Sequence, residues 1–132
     1  MGHNILELEH RYAVCRLAAN ASLPLWAMQG EIFSITRTPE ELSCIVRAED
    51  VPAEVQVQSG FVAFKVVGPL AFDVVGVLAS LAAPLAEANI PILAIGTYDT
   101  DYLFVHESHR QAEIAALEQA GDVSTDAHYR VV

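Results

Sequence analysis

Between Asp73 and Glu87 only one residue, Ser80, is polar. Val75, Leu78, Ala79, Ala82, Leu85 and Ala86 recur at spacings of three and four and form one apolar face. Val74, Val77 and Leu81 lie on other faces and are apolar too. A helix apolar all round is buried on more than one side. The run is too short to cross a bilayer, which takes about 20 apolar residues. It therefore calls for the chain's own sheet on one side and a second repeat or a second subunit on the other. A core helix without such a partner is the alternative. Asp73 reads as the N-cap, because its carboxylate can accept the free N–H groups of the first turn. Asn89 and Pro91 end the helix, and Pro84 inside it donates no N–H to the Ser80 carbonyl and should kink the axis.

The chain has 132 residues, 53% of them hydrophobic, enough for one compact domain or two very small ones. Its net charge is −10, and Lys and Arg form no cluster, so nucleic acid and anionic membrane are not expected partners. The start, Met-Gly-His-Asn-Ile-Leu-Glu, has neither the charged nor the apolar region of a signal peptide. Cys15 and Cys44 lie in strand-like runs and read as reduced, buried thiols of a cytoplasmic protein.

Strands are expected at Ile5 to Leu17, Glu31 to Thr38, Leu42 to Ala48, Phe61 to Val67, Ile92 to Tyr98 and Tyr102 to His106. A short apolar segment, Leu23 to Met28, reads as one or two helical turns. Glu49 to Ser59 reads as a linker or edge strand. A second helix is expected from His109 to Ala120, with Ala112, Ala115, Ala116 and Leu117 inward and Gly121 as its stop. His128 to Val132 reads as a last edge strand. Residues 33 to 46 lie without gaps on residues 93 to 106, with an acid before the second strand of each, Glu41 and Asp101. The spacing implies two related units, residues 1–59 and 60–132. The expected class is α+β, with a ferredoxin-like β-α-β-β-α-β plan and antiparallel sheets, the first unit's helix much shortened.

The run Asp73-Val74-Val75-Gly76-Val77-Leu78, followed by Leu85-Ala86-Glu87-Ala88-Asn89-Ile90-Pro91-Ile92, resembles the ACT domain, a small-molecule regulatory module of amino-acid metabolism. The usual Arg-Pro pair after the first acid is replaced by Val74-Val75, and the Gly before Ile90 by Asn89. The segment Ile95-Gly96-Thr97-Tyr98-Asp99-Thr100-Asp101-Tyr102 looks like the ACT segments of aspartate kinases, and more like those of the CASTOR-type arginine sensors. The likeness runs over Phe61 to Ala120; Ile5 to Ala48 looks like a degenerate partner unit in a tandem.

The resemblance implies a ligand held by Asp73, Val74, Val75 and Gly76 on one side and by Thr97, Tyr98, Asp99, Thr100 and Asp101 on the other. The start of the helix can hold a carboxylate on its free N–H groups. A carboxylate in the hairpin turn can bind an ammonium or guanidinium, and the resemblance favours Asp101 over Asp99. Gly76 admits either a ligand or tight packing against the sheet. Asp73 is either ligand contact or cap, and Asp99 and Asp101 are either ligand contacts or solvated turn acids. Ser80 is expected to bond back to its own helix.

His106 and His109 stand at i and i+3 with no third metal ligand nearby, and no phosphate loop, dinucleotide fingerprint or nucleophile elbow is present. The sequence thus implies a non-enzymatic regulatory protein, without cofactor or metal, that binds a free amino acid or similar metabolite at an interface between ACT-like units. A homodimer is expected, with a regulated protein partner left open. The alternative is a dimerisation or interaction module whose ligand pocket is lost.

Overall fold

The computed structural model describes residues 3–67 and 76–126, the last four by their backbone alone. Asp73, Val74 and Val75, and the strand expected at His128 to Val132, lie outside the described residues. Among the described residues seven strands and two α-helices follow in order: β1 (Asn4–Leu17), β2 (Ser34–Arg37), β3 (Leu42–Arg47), β4 (Gln56–Val66), α1 (Val77–Glu87), β5 (Leu93–Gly96), β6 (Asp101–His106), α2 (Arg110–Gln119) and β7 (Val123–Asp126). Short 3-10 turns occupy Leu25–Ala27, Ala48–Asp50 and Glu107–His109. The chain divides into a helical unit, Met1–Glu9 with Val62–Val132, and a smaller unit, His10–Phe61.

In the helical unit the strand order is β1-β4-β6-β5, with β7 beside β1. From β4 to β7 the elements follow the expected β-α-β-β-α-β order. The pairing is not wholly antiparallel: β5 and β6 are antiparallel, but β7 runs parallel to β1, Asn4 opposite Val123. The core gathers Ile5 of β1, Val62, Phe64 and Val66 of β4, Leu103 and Val105 of β6, Val77, Leu81 and Leu85 of α1, and Leu117 of α2. Each strand gives it alternate residues, as a pleated strand with one face covered must.

Both helices turn otherwise than their sequence pattern implies. The inward side of α1 is Val77, Leu81 and Leu85, four residues apart. Leu78, Ala79 and Ala86, part of the apolar face that the spacing picks out, are exposed, Leu78 by 40%. When every face is apolar, periodicity carries no rotational information, and the four-residue row with the largest side chains wins the sheet. In α2, Ala112 and Ala115 are exposed, and the buried residues are Glu113 and Leu117. The pattern had set an acid outside that the structure puts inside.

The smaller unit has the strand order β2-β3-β1-β4, with β2/β3 and β1/β3 antiparallel. It holds no α-helix among the described residues; the expected short helix is a single 3-10 turn, so the second ferredoxin-like plan is not formed there. Its core is Ala13, Cys15, Ala27, Leu42, Cys44 and Val46. Arginines tie down the connections that replace helices. Arg37 donates to the carbonyls of Ala19 and Ala21, and Arg47 donates from Nε to Asp50 at 2.8 Å. Gly30, at φ +86°, gives Arg47 its room: a Cβ there would lie 2.9 Å from the Arg47 Nε.

The two hairpins share one turn. Thr38 N–H donates to the Glu41 carbonyl, and the Thr38 hydroxyl oxygen accepts the N–H of Glu41. Thr97 makes the same two bonds with Thr100. Ser34 faces Ile45 as Leu93 faces Phe104, so the hairpins superpose at an offset of 59, one less than the 60 of the gapless match. Asp101 then corresponds to Leu42, and Glu41 to Thr100.

Leu81→Ala is expected to lower the unfolding free energy by about 2–5 kcal/mol in a urea titration. Leu78→Ala, on the exposed side, should change it by no more than about 0.5 kcal/mol. Equal losses would overturn this rotation of α1.

Candidate functional site

The turn between β5 and β6 is pinned to the end of β4. Thr100 is buried, and its hydroxyl donates to the Val66 carbonyl at 2.5 Å. That carbonyl sits at the end of β4 from which the chain goes on to α1. Thr97 Oγ1 donates to the Thr100 carbonyl at 3.0 Å and accepts the Thr100 N–H at 3.1 Å. Thr97 therefore spends its hydroxyl on the turn itself, and Thr100 spends its hydroxyl on β4.

Asp101 opens β6 and faces Gly96 in the register. Alternation puts it on the same face as Leu103 and Val105, the face that α1 covers. Its carboxylate lies over Gly96, where a Cβ would stand 3.4 Å from Oδ1. Asp101 is partly buried, and no cation pairs with it among the described residues. Asp99 is exposed, and Tyr98 is 80% exposed. Tyr102 is partly buried, so neither tyrosine belongs to the core.

At the start of α1, Gly76 is the N-cap, in the left-handed region at φ +84°. Among the described residues, a Cβ at Gly76 would meet nothing within 4 Å. Its backbone angle calls for glycine there, and no described residue packs closely against it. Neither Gly76 nor any described side chain caps the helix. Ser80 bonds back to the helix as expected, donating from Oγ to the Val77 carbonyl at 2.8 Å, and meets His3 Nε2 at 3.2 Å. A separate groove of about 390 Å³ opens at the other end of α1, lined by Pro84, Glu87, Ala88, Ala116, Gln119 and Ala120.

A second polar cluster escaped the sequence pattern. Arg110, first residue of α2, holds Glu7 of β1 through Nε to both carboxylate oxygens at 2.9 and 3.0 Å and through Nη2 at 2.7 Å. One turn on, Glu113 is fully buried, and neither of its oxygens has a hydrogen-bond partner among the described residues. Burial, and then the neighbouring Glu7 carboxylate, pushes the Glu113 carboxyl up to about 8, against a smaller opposing pull from Arg110. The available signal was the spacing of Glu113 and Leu117, which puts an acid on the one inward row of α2. Among the described residues no three His, Cys, Asp or Glu side chains group as metal ligands, and no helix is long and apolar enough to cross a membrane.

A family model described as an ACT domain matches residues 56–119, and a second, for an N-terminal domain, matches residues 10–54. A structural-genomics target from Agobacterium tumefaciens is 32% identical, covers 100% of this chain over 98% of its own, and superposes with a TM-score of 0.92. A Vibrio cholerae protein of unknown function, described as a possible transport protein, is 24% identical over 90% of each chain, with a TM-score of 0.74. The ligand-free regulatory subunit of aspartate kinase from Thermus thermophilus is 12% identical, covering 85% of this chain and 93% of its own, with a TM-score of 0.59.

Because Glu113 carries its proton in the folded state up to about pH 8 and loses it near pH 4.5 when unfolded, its stabilising share is full below pH 4.5. That share falls as pH rises to about 8, by about 1.4 kcal/mol per pH unit. Glu113→Gln should remove this decline, seen as a flatter profile of denaturation midpoint between pH 5 and pH 8 (about the window between the two values).

Proposed function

The chain carries an ACT domain at residues 56–119, and from that premise we propose that it is a non-catalytic regulatory protein that binds a free amino acid. The ligand carboxylate sits on the N–H groups at the start of α1, which no described side chain caps, and its ammonium on the Asp101 carboxylate. The observation that carries this reading is the placement of Asp101. Thr100 fastens the turn to the end of β4 that leads to α1, and the register aims Asp101 at the face that α1 covers, with no cation paired to it among the described residues. An amino acid supplies both missing charges at once: an anion for the helix start and a cation for the acid.

Asp73, Val74 and Val75 belong to this proposal as the backbone leading into the helix, and Gly76 as the residue whose open side leaves the ligand room. Thr97 and Thr100 serve by shaping the turn rather than by touching the ligand. Tyr98 and Asp99, exposed at its tip, form the rim. The net charge of −10 favours encounter with a cationic or zwitterionic ligand over an anionic one. The aspartate kinase neighbour, itself a regulatory subunit, supports a regulatory rather than a chemical role.

A second reading is a docking module. Its support is the outer side of α1, where Leu78, Ala79, Ala83 and Ala86 are exposed without a charge among them. Under this reading the helix seats a second copy of the chain or a regulated protein, and no ligand is bound.

Thermal unfolding against each free amino acid at several millimolar distinguishes the two. A ligand at about 100 times its dissociation constant adds about 2.7 kcal/mol to the folded state. One amino acid should raise the midpoint, and Asp101→Ala should abolish that rise. A flat panel would overturn the sensor reading in favour of docking. A rise that survives Asp101→Ala would remove Asp101 from the site.

A further inference from the structure

The antiparallel register of β1 and β3 sets Cys15 directly opposite Cys44. Directly opposed residues of an antiparallel pair point to the same face, with Cα atoms about 4.5 or 5.5 Å apart according to the type of pair. A disulfide needs Cα atoms about 4.4–6.8 Å apart. The ladder therefore already holds the two cysteines within bridging distance. Both thiols are free, both are buried, and both belong to the same core cluster of the smaller unit. Neighbouring rungs are fixed as well, Val14 opposite Ile45 and Arg16 opposite Ser43, so neither strand has to slide.

We propose that Cys15 and Cys44 form a latent disulfide site, closed by a small peroxide or a small-molecule disulfide, that locks β1 to β3 inside the smaller unit. With a peroxide, the thiolate of one cysteine attacks an oxygen atom, the O–O bond breaks and hydroxide leaves, giving a sulfenic acid. The thiolate of the facing cysteine attacks that sulfur, the S–O bond breaks, and a second hydroxide leaves. The two thiol protons neutralise the two hydroxides, so two thiols and one peroxide give one disulfide and two waters. With a small disulfide, exchange passes through a mixed disulfide and releases two equivalents of the small thiol.

Burial raises the Cys15 thiol to about 11, with the facing Cys44 adding to the shift, and raises Cys44 as well. The site is thus inert to chance attack while the unit is closed, and oxidation waits on local opening. Once formed, the bond encloses the whole connection that carries the 3-10 turn Leu25–Ala27 and the β2–β3 hairpin. Closing a loop of this length in the unfolded chain stabilises the folded one.

The test uses the full chain, reduced and then treated with hydrogen peroxide or, separately, with oxidised glutathione, and quenched with an alkylating agent. Intact mass should show a monomer lighter by two hydrogen atoms that takes up no alkyl group, and peptide mapping should join Cys15 to Cys44. The melting midpoint of that species should be higher by about 10 °C and should return on reduction. Cys15→Ala and Cys44→Ala should each leave one alkylatable thiol and show no oxidant-dependent rise. Sulfinic acids at the separate cysteines, a bridge between two chains, or an oxidised form that melts no higher than the reduced one would each overturn the proposal.

Discussion

Val77, Leu81 and Leu85 meet the sheet as one row, buried with Val62, Phe64, Val66, Leu103 and Val105. That contact sets the rotation of α1, and much else follows from the rotation. Ser80 comes to the side where it meets His3, and the alanines go outward. The left-handed Gly76 brings the chain into the helix without covering its first N–H groups. The same sheet face carries Asp101 at its edge and Glu7 further along, so an acid lies on the helix-covered face near each end of the strands.

Much of the architecture was legible in the sequence because its signals were local. Strands of alternating residues, the stop at Asn89 and the hairpins of the two units all stand in the run of residue types. The rotation of α1 was not legible, because a helix apolar on every side gives periodicity nothing to choose between. Glu113 was missed for a different reason: it stands four residues before the inward Leu117, but an acid on a helix is read as solvated unless its partners are known. Glu7 is more than a hundred residues away in the chain. In the candidate site, the acid of the β5–β6 turn and the glycine before α1 were visible in the sequence. The commitment of Thr97 and Thr100 to the turn was not, since hydroxyl partners depend on the folded hairpin.

The two units answer the same problem with different means. Both keep a hairpin closed by a threonine that bonds forward across the turn. The helical unit then covers its strands with apolar side chains from two helices. The smaller unit has two short 3-10 turns for cover and relies on arginines that gather carbonyls and Asp50. Such bonds are directional and hold particular backbone atoms, whereas apolar burial is proportional to area and indifferent to direction. The smaller unit is accordingly specified by points of attachment more than by covered surface.

The buried carboxyl of α2 changes how the protein exchanges protons with its surroundings. A carboxyl held near 8 keeps its proton at neutral pH, so the folded chain carries about −9, the formal −10 with one acid neutral. Unfolding at that pH exposes the group and sets the proton free. The heat absorbed in a calorimeter then includes the buffer's own enthalpy of taking up that proton, and it differs between phosphate and an amine buffer even when the melting temperature does not. The folded chain is in this sense a weak acid whose dissociation is coupled to its unfolding.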